Sequence, residues 1–296
     1  MKAPPRPVPD PARLEADVRT LAVVRHPVAA PVALADAEEF VALELGAAGL
    51  RVERQLFEWA GVEFHNVVAT LDGGEPARPW VVVGAHFDTR AGSPGADDNA
   101  SGVAAMLEVA RLLAGGEAAP AATVQFVGFN LEELQNKPLH YALGSRAYAQ
   151  SLRTQGCAVA GALVLEMLGF TAPRQGAPPG ARAFSKVPRE GNFVSAVGDR
   201  RSRPLLAALE RAAAPHVPVV GLAVPFRGWL LPDTRRSDNA RFWDAGYPAL
   251  MVTDTANFRN PHYHRPSDTP DTLDYGFLAR ATAAVLAAVR ALAGGG

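Results

Sequence analysis

Three uncharged apolar segments, separated by helical segments, constrain the fold of this chain more than any other feature. Each is continuous rather than alternating, which is typical of a strand buried on both faces of a parallel sheet. They cover residues 79–85, 122–129 and 159–165, and the intervening residues 101–114 and 145–155 have helical patterns. This strand–helix alternation predicts a largely parallel sheet with helices on both faces.

The remaining helices and strands are predicted before and after these three segments. An antiparallel strand pair at a sheet edge is predicted at residues 51–59 and 62–71, joined by a turn at Gly61. We predict one α/β domain spanning residues 1–296, with a mixed, mostly parallel central sheet, an N-terminal extension and helix at 1–30, and a long loop at 169–192. Further helices are predicted at 11–24, 32–49, 204–214, 239–244 and 275–292, and further strands at 193–197, 217–224 and 248–253.

Composition excludes several classes of protein. The formal net charge is −1 and basic residues are scattered, so we expect neither a nucleic-acid nor a membrane partner. Cys157 is the single cysteine, which excludes an intramolecular disulfide. The start of the chain resembles no signal peptide, and no uncharged apolar run approaches the ~20 residues that span a bilayer. We expect a cytoplasmic protein, unless a leader has been removed; the oligomeric state stays open.

Candidate metal ligands follow the buried segments. Ligands bind beyond the carboxyl ends of strands in open α/β sheets, and His86 follows the first segment. Asp88 lies two residues further and points to the same face of an extended chain. That arrangement suits a metal-binding imidazole oriented by a carboxylate. A core histidine beside a turn-forming aspartate is the alternative.

Acidic residues occupy the next positions. The run Pro-Gly-Ala-Asp-Asp-Asn-Ala-Ser-Gly at 94–102 precedes a helix; one side chain can cap that helix, which leaves a carboxylate free to bridge two metal ions. Glu132 and Glu133 follow the second buried segment, where one acid could bind a metal while the other faces its water. Glu166 closes the third segment, and a carboxylate there is costly to bury unless it is paired or metal-bound.

A histidine-bearing loop at 261–272 completes the set, although it also fits an exposed loop that leads into the final helix. Histidine and carboxylate ligands suit zinc, at about 2.0–2.2 Å. Two such ions ~3.5–4 Å apart could clamp a scissile carbonyl and activate water.

The motifs, taken in order, resemble the M28 family of metallo-aminopeptidases. They are His-x-Asp, Gly-Ala-Asp-Asp-Asn-x-Ser-Gly, Glu-Glu, an acid before Met, Ser-Asp-x-x-x-Phe and Tyr-His-x-Pro-x-Asp-Thr, and they cover residues 80–272. The resemblance implies two zinc ions per chain, a proton-shuttling base at Glu132, and five metal ligands: His86 and Glu166 on one ion, Glu133 and His264 on the other, and Asp98 as the bridge.

The resemblance also implies supporting roles and shows departures. Asp88 would support His86, and Asp238 lies in the family's Ser-Asp segment. Glu166 stands where the family usually has Asp, and Asn239 replaces the usual His after Ser-Asp. Residues 134–143 form an insertion that is longer than in compact members of the family, and it could form a rim or lid.

The implied reaction is hydrolysis of the first peptide bond of peptides that have a free N-terminus. Phe170, Trp243 and Phe258 are candidate apolar walls of the substrate pocket, with core packing as the alternative for each. A single-zinc glutaminyl cyclase of similar fold is the second hypothesis, because the insertion at 134–143 resembles that group. A third hypothesis is a catalytically inactive binding protein of the same fold.

Overall fold

The computed structural model describes residues 8–116, 118–134, 141–177 and 187–294. The described residues form helices α1 (Pro11–Leu21), α2 (Pro31–Ala47), α3 (Gly102–Ala114), α4 (Leu143–Thr154), α5 (Arg203–Ala213), α6 (Asn239–Ala245) and α7 (Tyr275–Ala293). The strands are β1 (Arg51–Trp59), β2 (Val62–Leu71), β3 (Trp80–His86), β4 (Val124–Phe129), β5 (Val159–Glu166), β6 (Val194–Asp199), β7 (Val219–Val224) and β8 (Ala249–Thr253). All predicted elements are present with boundaries shifted by a few residues at most.

The eight strands form one sheet in the order β1-β2-β4-β3-β5-β8-β6-β7. Strands β4, β3, β5 and β8 are mutually parallel, so their carboxyl ends meet at one edge of the sheet. The predicted hairpin β1–β2 is antiparallel, and β6 runs antiparallel to β8. The predicted α/β fold with a mixed, mostly parallel sheet is confirmed.

The continuous apolar strands contribute side chains to two hydrophobic cores, one on each face of the sheet. Along β3, Val81 and Val83 pack into the core that contains α1, α2, α3, α5 and α7, whereas Val82 packs into the core on the opposite face with side chains of α4 and α6. Successive strand residues point to opposite faces. An uncharged strand is therefore required here, because neither face of β3 reaches solvent.

Two predicted features fall partly outside the described residues, namely the insertion at 134–143 and the loop at 169–192. Among the described helices, α7 (Tyr275–Ala293) is long and apolar enough to cross a bilayer by length and composition, and 61% of its most apolar window is buried inside the fold.

We expect Gly84→Ala to destabilise the protein by about 1–3 kcal/mol, the usual cost of overpacking a core. A Cβ at Gly84 would lie 2.3 Å from the ring of Phe129, which is fully buried. Urea unfolding measures the change in the free energy of unfolding. The control is Gly74→Ala, whose Cβ would find its nearest neighbour at 4.0 Å; equal stability of the two variants would contradict this packing.

Candidate metal centre

The carboxyl edge of the sheet gathers acidic and histidine side chains from five segments. His86 ends β3 and Glu166 ends β5, and Glu133 follows β4. Asp98 lies in the turn Ala96–Ser101 that leads into α3, and His264 lies on the loop between β8 and α7. These are the five ligands proposed from sequence, and the strand ends together with the turns and loops beside them bring all five side chains together.

The five side chains form two groups that share Asp98. His86 Nε2 lies 3.4 Å from Asp98 Oδ1 and 3.4 Å from Glu166 Oε2. His264 Nε2 lies 3.1 Å from Asp98 Oδ2 and 2.9 Å from Glu133 Oε1. Within each group the potential ligand atoms lie within 4.8 Å of one another. Each Asp98 oxygen therefore faces a different histidine.

These residues fit a zinc ion by two criteria. Both carboxylate oxygens of Asp98, Glu133 Oε2 and His264 Nε2 are buried and have no hydrogen-bond partner among the described residues. Buried polar atoms without partners are costly, and ligation would satisfy them. The donor set of imidazole nitrogen and carboxylate oxygen is the one that zinc prefers, with His86 and Glu166 supplying the remaining donors.

The pKa values of these side chains also reflect the crowding of negative charge at the site. Burial and the charge of Asp98 raise the pKa of Glu133 to about 8. Burial disfavours a charged His264, yet the neighbouring carboxylates of Asp98 and Glu133 raise the pKa of this imidazole to about 9. The pKa of His86 is also well above its usual value, because nearby Glu166 and Asp98 outweigh its burial. The cluster therefore holds protons tightly when no cation balances its charge.

Backbone strain marks three of the turns that carry these side chains. Leu131, Met167 and His264 have φ values of 58°, 50° and 59°, in the left-handed region that non-glycine residues rarely adopt. Leu131 precedes Glu132 and Met167 follows Glu166. Such conformations concentrate at functional sites, where surrounding contacts hold them in place.

Asp88 connects two of the turns that carry ligands. Its carboxylate accepts hydrogen bonds from the backbone N–H groups of Glu132 at 3.0 Å and Glu133 at 2.9 Å. His86 Nδ1 lies 3.2 Å from the backbone oxygen of Asp88 and 3.5 Å from its carboxylate. The contact with His86 was predicted, whereas the link to the Glu-Glu turn was not.

Asp268 holds the turn that carries Asp98 in the same way that Asp88 holds the Glu-Glu turn. Its two carboxylate oxygens accept hydrogen bonds from the N–H groups of Asp97 at 2.9 Å and Asp98 at 3.1 Å. Asp268 is fully buried. Sequence reasoning did not single it out, although it lies in the Tyr-His-x-Pro-x-Asp-Thr motif that selected His264.

Arg25 supplies a buried cation beneath the site. Its guanidinium donates to the carbonyl groups of Phe87, Pro94 and Gly95, and so contacts both the turn after β3 and the turn before α3. Burial lowers the pKa of Arg25 to about 10, so the group stays charged at neutral pH. Nothing in the sequence around Arg25 indicated this role.

Glu132 and Asp238 are two further buried acids near the proposed ligands. Glu132 Oε1 and both carboxylate oxygens of Asp238 have no hydrogen-bond partner among the described residues. Burial raises the pKa of Glu132 well above its usual value, and the carboxylates of Glu133 and Glu166 add to the effect. Burial also raises the pKa of Asp238 to about 7. Asp238 is therefore poised to carry a proton near neutral pH, and Glu132 binds a proton more readily than an ordinary carboxyl group does.

Further side chains hold the proposed ligands in position. The sequence analysis did not identify them as site residues. Ser237 donates a hydrogen bond of 2.6 Å to Glu166 Oε2. The ring of Tyr263 stacks on His264 at 3.7 Å between centroids, and Arg236 donates to the Tyr263 hydroxyl at 2.9 Å. Ser237 was visible only as the first residue of the Ser-Asp motif.

A cavity of about 150 Å³ adjoins the metal-ligand cluster. Glu166, Ser237 and Tyr263 line it together with a mostly apolar wall that includes Phe193, Val197, Leu222, Met251 and Phe258.

The three candidate wall residues have different positions. Phe258 lines the cavity. Trp243 is fully buried, donates to the backbone oxygen of Ala249 and packs in the core, so it is not a wall residue. Phe170 contacts His262 edge-on at 5.8 Å and is not part of the cavity lining either.

The fold is a mixed α/β sheet whose carboxyl edge carries two histidine–carboxylate groups suited to holding metal ions. The family model for Peptidase family M28 matches residues 66–289. The chain therefore belongs to peptidase family M28, and the prediction of a zinc-dependent hydrolase of this family is confirmed.

Similar proteins agree with this assignment. The Escherichia coli (strain K12) protein YfbL is 33% identical over 294 residues, covering 93% of this chain and 86% of that protein. A probable zinc metalloprotease of Leptosphaeria maculans is 31% identical over 237 residues, covering 73% of this chain and 52% of that protein. The chain thus spans about half the length of the metalloprotease relative.

Solved structures with low identity share the fold. The LapA aminopeptidase of Legionella pneumophila has a TM-score of 0.72 at 18% identity, covering 96% of this chain and 72% of that one. A glutaminyl cyclase of Porphyromonas gingivalis has a TM-score of 0.74 at 17% identity, covering 96% of this chain and 99% of that one.

We expect Asp268→Asn to weaken zinc binding about tenfold or more, as loss of a partner that orients ligands does in other zinc sites. An amide has one acceptor oxygen, so its NH₂ group would face one of the two N–H donors of Asp97 and Asp98. Competition with a chromophoric chelator measures the affinity. Asp271→Asn is the matched control, since that side chain is 78% exposed on the same loop; equal affinities would contradict the role of Asp268.

Proposed function

We propose that this protein is an aminopeptidase that hydrolyses the first peptide bond of peptides at a two-zinc site. The observation that carries the proposal is the pair of histidine–carboxylate groups joined through Asp98. His86 and Glu166 would hold one ion, Glu133 and His264 the other, and Asp98 would bridge them. Bound zinc supplies Lewis acidity, which polarises a carbonyl and lowers the pKa of water.

Glu132 is the proposed general base. Its neighbour Glu133 is a proposed ligand, and the strained turn at Leu131 together with the Asp88 hydrogen bonds holds the backbone of both residues in place. The raised pKa of Glu132 favours proton uptake from water. The same carboxyl group would then return that proton to the leaving amine.

The cavity beside Glu166 is proposed to receive the side chain of the N-terminal residue. Its lining is mostly apolar, and its volume is about 150 Å³. An apolar N-terminal residue is therefore the preferred substrate. Names of related proteins agree with a peptide substrate, since LapA is an aminopeptidase and a relative in Arthroderma otae is a probable leucine aminopeptidase.

We expect Glu132→Gln to lower kcat by about 10²–10⁴-fold, the usual contribution of a general base, while zinc content stays unchanged. The amide has nearly the same shape but cannot take up a proton. Steady-state kinetics on leucyl substrates and metal analysis of the same sample give the two readings. Glu63→Gln, at an exposed position of β2, is the control. Retention of most activity would rule out Glu132 as the base.

The same assay separates the alternatives. One zinc per chain with cyclisation of an N-terminal glutamine peptide would support a glutaminyl cyclase, whose fold this chain shares. Absence of zinc binding and of both activities would support a binding protein of the same fold.

We expect Val197→Phe to reduce kcat/KM for leucyl and phenylalanyl substrates about tenfold or more, with a smaller loss for alanyl substrates. Val197 is buried in the cavity wall, so a larger side chain fills space that a bulky N-terminal residue needs. Val62→Phe, at a half-exposed position on β2, is the control. An equal loss for alanyl and leucyl substrates would show that the cavity does not receive this side chain.

A further inference from the structure

The two edges of the sheet differ in how they are protected. Strand β1 carries four charged residues, Arg51, Glu53, Arg54 and Glu58, and edge charges of this kind prevent pairing with other chains. Strand β7 at the other edge reads Val-Val-Gly-Leu-Ala-Val and has no polar side chain. Among the described residues, β7 pairs only with β6. The β7 edge therefore lacks the protection that β1 has.

Exposed apolar side chains follow β7 directly. Phe226 is 70% exposed, and Trp229, Leu230 and Leu231 are also exposed. The guanidinium of Arg235 lies 4.0 Å from the Trp229 ring centroid, so the indole is held in place while it faces solvent. We call residues 226–231 the apolar lip. Contiguous exposed apolar residues of this kind mark interaction sites.

A shallow groove precedes β7. It is lined by Val219, the residues 214–218 and Glu210 of α5. We call it the edge groove. The apolar lip and the edge groove thus flank the same unprotected strand at opposite ends.

We propose that β7 pairs antiparallel with β7 of a second copy of this chain across a two-fold axis. In the register that places Val219 opposite Val224 of the partner subunit, the chain past β7 of one copy runs toward the chain that precedes β7 in the other. The apolar lip of each copy then faces the edge groove of its partner. The contact forms twice, as two-fold symmetry requires.

Charge favours a second copy as the occupant. Arg227 lies in the apolar lip and Glu210 lines the edge groove; both are exposed, and neither forms an ion pair within the described part of the chain. The antiparallel register brings Arg227 of one copy toward Glu210 of the partner subunit, again twice. A lipid surface would use the apolar lip but leave the groove and its carboxylate without a role.

The pairing would also border the substrate cavity. Val220 and Leu222 of β7 line that cavity, so the second copy would lie next to its outer wall. The proposal does not depend on the reaction catalysed, since it rests on the edge strand and its flanks alone.

Sedimentation velocity of the full chain over a range of concentrations tests the proposal. We expect a dimer for the unaltered protein and a monomer for the double variant Phe226→Glu/Leu230→Glu. Leu56→Glu, on the opposite edge strand at 54% exposure, is the matched control and should stay dimeric. Thermal unfolding checks that each variant is folded. A monomer at all concentrations, with or without binding to phosphatidylcholine vesicles, would overturn the proposal, as would a dimer that only Leu56→Glu disrupts.

Charge reversal tests the antiparallel register. Arg227→Glu and Glu210→Arg should each weaken the dimer at least tenfold in Kd, because each homodimer would bring like charges together twice. A mixture of the two single variants should restore dimers, because both contacts of the heterodimer then join opposite charges. Dimers that are unaffected by either variant, or that are not restored by mixing, would overturn this arrangement.

Discussion

The burial of many carboxylates at one edge of the sheet is the constraint on which this structure depends. Asp98, Glu132, Glu133, Glu166 and Asp238 are all buried. Two unit charges ~4 Å apart repel by about 4 kcal/mol at an effective dielectric constant of ~20. Burial raises the pKa values of Glu132, Glu133 and Asp238, and repulsion from neighbouring carboxylates adds to the effect, so that protons relieve the repulsion when no cation is bound. Divalent cations would relieve it more fully, so the cluster has a physical reason to bind them.

Two buried carboxylates hold the turns that carry these acids. Each accepts hydrogen bonds from two successive backbone N–H groups. Asp88 accepts from two successive N–H groups of the Glu-Glu turn, and Asp268 accepts from two successive N–H groups of the Asp-Asp turn. Each carboxylate fixes a turn that carries a proposed metal ligand, Glu133 in the first case and Asp98 in the second. Arg25 adds a positive charge beside the turn after β3 and the turn before α3, which lowers the cost of burying Asp88, Asp98 and Asp268.

The sequence predicted the position of a residue correctly where the local pattern alone determines that position. An uncharged strand such as β3 must be buried on both faces, and a polar residue at its carboxyl end must lie at the edge, so His86 and Glu166 could be placed. It failed where the position depends on distant contacts. Arg25 contacts residues more than 60 positions away, and the packing of Trp243 against β8 rather than the cavity depends on how α6 lies on the sheet. The place of β7 at the outer edge follows from strand order, which no local pattern encodes.

The geometry of the site shows the effect of having glutamate rather than aspartate at position 166. The carboxylate of Glu166 lies as far from His86 Nε2 as that of Asp98 does, 3.4 Å in each case, so the additional methylene group does not move it out of reach of the shared imidazole. The Ser237 hydroxyl holds the longer side chain in this position. The second departure, Asn239, has a different consequence: its amide donates to the backbone oxygen of Thr234, a cavity-lining residue, at 3.0 Å. A change at residue 239 therefore acts on the wall of the cavity, whereas a change at residue 166 acts both on a proposed metal ligand and on that cavity, because Glu166 lines it as well.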